Sequence, residues 1–344
     1  MSLAVRFFEP SDAPAWDAFV LNHPLGSPFH LTAWKASIEE TFGFRGLSLL
    51  ALRDNQIAGV LPLFEVKNPF AGRLLLSSPF AVYGGALFDS QEAAAALTQE
   101  LNRVARQMAV EYVELRNAFP EQCLGFHRLS RYVTFTHPIA ASGEAILSSL
   151  SRNARNMVRK ALRHPFTLEP ASTLDAFFDL YTANLRRLGT PAFPRSHFVN
   201  LLKHYGKSAD VREVKLNGQT AAAVFTFYFR GQILPYYGAS DPAFHSYAPN
   251  NFMYFALMRW GAAHGYAWFD FGRSKKEGSG SYAFKTHWGM TERDLPYEVL
   301  LVRRKSLPDL SPNNPRFELA IRFWRTLPLP LTRALGPWLI RWFP

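Results

Sequence analysis

Residues 211–239 read VREVKLNGQTAAAVFTFYFRGQILPYYGA. Val211 to Leu216, Ala221 to Phe229 and Ile233 to Tyr237 are rich in β-branched and aromatic residues and are separated by turn formers, which predicts three successive strands. A helical segment, Ser196 to Tyr205, precedes them; a helix from Asn250 to His264 and a strand from Trp268 to Phe271 follow. The order is helix, hairpin, strand, helix, strand.

The first half of the chain shows the same order. Leu31, Trp34, Ile38 and Phe42 form a stripe at helical spacing. Strand-like runs follow at Leu47 to Arg53 and Ile57 to Val66, joined by the turn residues Asp54 and Asn55, and then at Leu74 to Leu87. An alanine-rich helix, Gln91 to Met108, and a strand, Tyr112 to Arg116, complete the set. Local residues echo the pattern: Tyr83-Gly84-Gly85 and Tyr237-Gly238-Ala239 each precede a helix, and Val113-Glu114-Leu115 and Phe269-Asp270-Phe271 follow at nearly equal distances. The glycines fit two readings, a ligand or second backbone brought close at a strand-to-helix turn, or an ordinary turn. Sheet-and-helix lobes with mostly antiparallel hairpins, rather than regular alternation of strand and helix, predict an α+β fold of two tandem lobes with a central cleft. Such clefts are favoured ligand sites.

A chain of 344 residues has room for two such lobes and a tail, expected at 1–140, 141–305 and 306–344. Cys123 is the single cysteine, so no intrachain disulfide can form, and no His/Cys cluster has zinc spacing; no metal site is expected. Neither a leader-like N-terminus nor an apolar run long enough to span a bilayer is visible, and the expected compartment is the cytoplasm. The net charge of +11 favours anionic partners. From Arg303 to Pro344 eight Lys or Arg stand against Asp309 and Glu318, so about half of the excess lies in the tail.

Two segments could carry chemistry. In Ser151 to His164, Arg152, Arg155, Arg159 and Arg163 stand three, four and four apart and so align on one helical face. Stacked like charges suit phosphates or carboxylates, which guanidinium groups bind bidentately; a solvated basic face is the other reading. The second segment runs from Trp268 to Gly289, WFDFGRSKKEGSGSYAFKTHWG, a strand ending in a glycine- and cation-rich loop that includes Arg273 and Lys275 and leads to Lys285 between Phe284 and Trp288. Acyl transfer passes through an oxyanion, which a fixed cation in a partly dry site stabilises. Lys285 fits that role, or that of a lysine snorkelling past core aromatics. Gly272 and Gly278 have the wrong separation for a P-loop, and the usual acyl-coenzyme A loop pattern, Arg/Gln-x-x-Gly-x-Gly/Ala, is missing. Tyr236, Tyr237, Asn250 and Asn251 offer polar groups on a backbone preset by nearby prolines, for reading a substrate or for shaping turns.

Several of these motifs occur in an order that resembles the FemAB family: RNARNMVRKA, LGTPAFP, FYFR, LPYYG, FDFGRSK and FKTHWG, covering roughly Ala145 to Val302. The resemblance extends to the subgroup associated with exosortase and PEP-CTERM gene clusters. It implies two lobes similar to the GNAT acetyltransferase fold, and transfer of an aminoacyl group from a charged tRNA to an amine of a peptidoglycan precursor. It places Lys285 at the reaction centre and makes Arg155, Arg159, Tyr236 and Tyr237 candidates for contact with a nucleotide-sugar substrate. In that subgroup the acceptor could instead be an exopolysaccharide precursor, and the donor an acyl-CoA thioester; no tightly bound cofactor is implied. The long coiled-coil arm of some members is absent. On this reading Asp270 is a candidate proton acceptor, with Arg152 alongside the other arginines on phosphate.

The tail shares FWRTLPLP and LGPWL with the subgroup. Phe317, Ile321 and Trp324 fall on one helical face, and Leu331, Leu335, Trp338 and Trp342 on a second, accompanied by Arg322, Arg325, Arg333 and Arg341. The stripes fit a peripheral contact with the inner membrane or packing against the first lobe. The competing functional classes are an acyl-CoA-dependent N-acyltransferase and a non-catalytic scaffold that binds RNA or membrane.

Overall fold

A computed structural model describes residues 3–276, 280–307 and 315–344, with side chains from 318 onward in the last segment. Among the described residues three sheets organise the fold. A four-stranded sheet runs Leu3–Phe7, Leu49–Arg53, Gln56–Leu61, Leu87–Phe88. A six-stranded sheet runs Arg45–Gly46, Phe64–Asn68, Gly72–Leu76, Tyr112–Leu115, Tyr297–Leu301, His127–Leu129. The seven-stranded sheet runs Phe166–Pro170, Ala209–Leu216, Gln219–Phe229, Gln232–Ser240, Trp268–Lys275, Tyr132–Pro138, Thr291–Asp294.

The α+β class and the doubled order hold. In each lobe two parallel strands are joined by a helix, Gly72–Leu76 to Tyr112–Leu115 through Gln91–Gln107, and Gln232–Ser240 to Trp268–Lys275 through Pro249–Ala263. The first-lobe runs break where the chain changes sheets: Ile57 to Val66 is interrupted around Pro62 and Leu63, because a proline cannot donate to a ladder.

Sheet membership does not respect the expected boundaries at 140 and 305. Tyr132–Pro138 lies inside the second-lobe sheet, pairing with Trp268–Lys275, whereas Tyr297–Leu301 returns to pair with Tyr112–Leu115 of the first lobe. This exchange ties the lobes together, and their facing sides are dry. One apolar cluster runs from Phe29, Trp34, Phe42 and Phe80 of the first lobe to Phe198, Phe225, Phe227 and Tyr237 of the second. Phe29 packs edge-on against Phe227 at 5.7 Å between ring centroids. Buried aromatic pairs of this kind hold the lobes at a fixed separation.

The two glycine turns differ. A Cβ on Gly85 would lie 2.0 Å from Asn117 Oδ1, so that glycine answers to a close approach within the lobe. The second expected turn is not formed: Gly238 lies inside the strand Gln232–Ser240, opposite Val224, with ordinary room around it.

Candidate active site

The parallel pair of the second lobe is aligned at only two positions, Gln232 with Trp268 and Ile233 with Phe269. Beyond them the strands separate, and a cleft of about 330 Å³ opens between Tyr236 and Tyr237 on one strand and Phe271, Gly272 and Arg273 on the other. Phe80 and Val82 of the first lobe, Phe193, Lys285, and Phe343 and Pro344 of the tail complete its lining.

A bulge shapes the floor. The register between Tyr132–Pro138 and Trp268–Lys275 shifts between Phe135 and Thr136, and Gly272 has φ +66°. Only glycine takes that conformation without strain, and it frees main-chain groups from the ladder. Asp270 Oδ1 accepts from Gly272 N at 2.6 Å, which pins the bulge, while the carbonyls of Gly272 and Arg273 each accept from Lys285 Nζ at 2.9 Å. Lys285 lies on the helix Gly280–His287, is 9% exposed, and stands 5.9 Å from the centre of the Phe135 ring. An ammonium has three donors, and these carbonyls take two of them. Burial lowers its pKa to about 8, a fall that Asp270 opposes and Arg273 reinforces.

The rest of the lining is equally fixed. Arg273 donates to Tyr297 Oη at 3.2 Å and lies over the Tyr132 ring at 4.4 Å. Tyr236 Oη donates across the lobes to Phe80 O at 2.9 Å. Tyr237 Oη meets His197 Nε2 at 3.1 Å, and burial holds that imidazole neutral with a pKa of about 3. Asp270 is buried behind the bulge, where Tyr83 Oη donates to its Oδ2 at 2.8 Å; burial pushes its carboxyl above the usual range, against the pull of those hydrogen bonds.

The structure therefore brings Lys285, Arg273, Tyr236 and Tyr237 around one cavity, with Asp270 beneath it. The other candidates stand outside its lining. Arg155 donates to Ser148 O and Leu150 O, closing off the preceding short helix, while Arg152 and Arg159 are exposed. Their helix, Arg152–Ala161, does reach the Lys285 helix: its cap Ser151 donates to His287 O and, through its backbone, to Trp288 O. Asn250 donates to Ser240 Oγ at 3.0 Å, Asn251 is buried in the helix Pro249–Ala263, and Lys275 ends its strand half-buried. Part of the glycine-rich loop, 277–279, lies outside the described residues.

Sequence reasoning missed Phe80, Val82, Phe193, Phe271, Phe343 and Pro344 as lining residues, and Tyr83 as the partner of Asp270. It also missed Arg116, 3% exposed, which donates to Ser78 O, Ala81 O and Pro344 O. The Tyr83-Gly84-Gly85 echo was the available signal for the first-lobe contribution.

Residues 148–286 match the acetyltransferase (GNAT) domain family. The lipid II:glycine glycyltransferase of Staphylococcus aureus is 23% identical, over 83% of this chain and 90% of that protein. The crystal structure of FemX superposes with a TM-score of 0.71 at 19% identity, covering 92% of this chain and all of that one. Along most of its length the chain is similar to FemAB-like acyltransferases. A tandem GNAT protein from the clavulanic acid biosynthesis pathway shares the two-lobed GNAT-like arrangement, with a TM-score of 0.52 at 10% identity over 89% of this chain and 100% of its own. Lys285 falls at the edge of the matched GNAT segment, and the cleft it lines is bounded on the other side by the first lobe and the tail.

Proposed function

We propose that this acyltransferase moves an aminoacyl group from an activated ester onto an amine of a peptidoglycan precursor, with Lys285 stabilising the transition state. The observation that carries the reading is an ammonium held on two carbonyls at the floor of an aromatic cleft, in a chain similar along most of its length to a lipid II:glycine glycyltransferase.

The acceptor nitrogen attacks the acyl carbon and a C–N bond forms as the carbonyl π pair moves onto oxygen. Lys285 has a third N–H to offer that oxygen, and from a side chain only 9% exposed such a donor is worth several times its value in bulk water. Collapse of the oxyanion breaks the bond to the leaving group, which takes up the proton shed by the nitrogen. Asp270 acts here as a positioning residue: both its oxygens are engaged, and one of them fixes the bulge whose carbonyls hold Lys285. Arg273, Tyr236 and Tyr237 would orient the acceptor, and the exposed cations Arg152 and Arg159, with Arg155, would receive donor phosphates.

Charged tRNA is the donor that the family resemblance of the sequence motifs implies, while the GNAT match at 148–286 supports acyl-CoA as a second reading. An exopolysaccharide precursor, as in exosortase-associated systems, is the alternative acceptor, and the cytoplasmic face of the inner membrane is the proposed place of action. Purified protein given glycyl-tRNA or acetyl-CoA, each with nucleotide-linked and lipid-linked muramyl peptide, tests these by mass spectrometry. A product gaining the aminoacyl mass only with charged tRNA is expected. Transfer from acetyl-CoA alone would reassign the donor, and no product from either donor would overturn the proposal.

A further inference from the structure

The tail uses its two faces differently. Helix Pro315–Thr326 turns Trp324 inward and rests Ile321 on Gly189, where an added Cβ would stand 2.5 Å from Ile321 Cγ2; Leu319 and Phe323 point outward, 76% and 65% exposed. Helix Leu329–Ile340 buries Thr332, Gly336 and Ile340, and a Cβ on Gly336 would lie 3.0 Å from the Ala192 backbone. The helix is thus docked through that face, and Leu331, Leu335 and Trp338 on the other remain 49%, 45% and 57% exposed.

The exposed ridge continues past the helix. The Trp338 ring lies 4.2 Å from Trp342, and Trp342 meets Phe70 edge-on at 5.8 Å. Phe70, 51% exposed, sits at the tip of the hairpin Phe64–Asn68/Gly72–Leu76, and Asn68 Nδ2 donates to Trp342 O at 2.5 Å, which locks the hairpin to the tail. Cations flank the ridge: Lys67 and Arg341 are exposed, and Arg304 donates to Phe70 O at 3.2 Å.

We infer that Phe70, Trp338, Leu335 and Leu331, with their flanking cations, form a docking surface for an anionic lipid bilayer. Among the described residues the tail carries five of the fifteen large apolar side chains left exposed, on helices whose inner faces are already packed, so the ridge is not surplus core. Rings at the level of the headgroups with Lys and Arg reaching phosphates is the chemistry of interfacial helices, and the net charge of +11 is complementary to an anionic leaflet. The position is also productive. Phe343 and Pro344, next along the chain from Trp342, line the cleft, so a bilayer on this ridge lies beside the cleft mouth. This point rests on the proposed function: an acceptor anchored in the lipid could present its amine to Lys285 without leaving the membrane.

Sedimentation of the full chain with vesicles tests the surface without donor or acceptor. Binding to phosphatidylcholine containing about one-third phosphatidylglycerol, weak binding to phosphatidylcholine alone, and a blue shift of tryptophan emission are expected. The double variant Leu335→Glu/Trp338→Glu should lose about tenfold or more in partitioning, and Phe70→Glu, in a different segment, should lose in the same direction. Melting curves and transfer to a nucleotide-linked acceptor should be unchanged in both variants. Wild-type protein that stays in the supernatant at low salt, or variants that partition like wild type, would overturn the inference. So would a lipid-free dimer that the same substitutions dissolve, since the ridge would then belong to a second copy. Vesicle binding without any acyl transfer would sink the proposed function and leave the docking surface standing.

Discussion

In the first lobe the Arg116 guanidinium is buried on the carbonyls of Ser78 and Ala81 and paired with Glu114 at 3.0 Å. In the second lobe the Lys285 ammonium is buried on the carbonyls of Gly272 and Arg273, and among the described residues no carboxylate lies within ion-pair distance of it. Both are cations on main-chain oxygens beside a parallel strand pair, but they differ in what happens to the charge. A guanidinium does not deprotonate, and beside a carboxylate it becomes a brace. An ammonium held only by neutral dipoles keeps a charge that its surroundings can tune, and burial has brought it to a pKa of about 8. The same contrast appears in the strands, since three positions align in the first pair and only two in the second before the Gly272 bulge. The lobe whose ladder is interrupted is the one whose strands part to open the cleft beside Lys285.

Substituting each cation is the strongest way to break this comparison. Lys285→Ala should lower kcat by about 10²- to 10³-fold in a protein that still folds, as removal of an oxyanion donor does elsewhere. Arg116→Met should do the reverse, costing about 3 kcal/mol of stability in urea unfolding because Ser78, Ala81 and Glu114 lose their partner, with a much smaller change in kcat. If the effects were exchanged, the division into brace and chemical cation would fail.

A pH series sharpens the same point with a smaller effect. If the charged ammonium is the working form, kcat should fall about tenfold per unit above pH about 8, and Lys285→Arg should extend the plateau to higher pH even at a lower rate. Stability moves in the opposite direction. The unfolded lysine titrates at its ordinary value of 10.5, so between about 8 and 10.5 the unfolded chain binds more protons than the native one, and native stability rises with pH across that window. Lys285→Met should abolish that rise in urea midpoints.

Much of the fold was legible because it depends on local pattern. The stripe at Leu31, Trp34, Ile38 and Phe42 became the helix Thr32–Phe42, and the run after Asp54 and Asn55 became a hairpin whose turn has both residues at positive φ. Lys285, Arg273 and the tyrosine pair were legible because a few unusual residue types cluster near a strand end. The exchange of Tyr132–Pro138 and Tyr297–Leu301 between lobes was not, since strand propensity says nothing about which sheet a strand joins. What the arginine face meets was not legible for a similar reason: spacing aligns guanidinium groups on a helix but does not say what the helix faces, and Arg155 donates to carbonyls of its own chain.

The smallest expected effect tests whether the first lobe takes part in the chemistry of the second. Tyr83 Oη donates to Asp270, Asp270 accepts from Gly272 N, and Gly272 O accepts from Lys285, so three hydrogen bonds connect a first-lobe hydroxyl to the ammonium. Tyr83→Phe removes the first of them and leaves Asp270 with Gly272 N and a long contact from Thr134 Oγ1 at 3.4 Å. Losing a donor makes the buried carboxylate harder to keep charged, and a less charged Asp270 gives Lys285 less electrostatic support. The alkaline limb of the kcat profile should therefore move to lower pH, while kcat on the plateau falls by about three- to tenfold, the scale of one buried hydrogen bond to a charged group. Asp270→Asn should move the limb further in the same direction. A fall in rate with the limb unmoved would mean that Tyr83 only packs the lobe interface, and the coupling between the two halves would be mechanical rather than electrostatic.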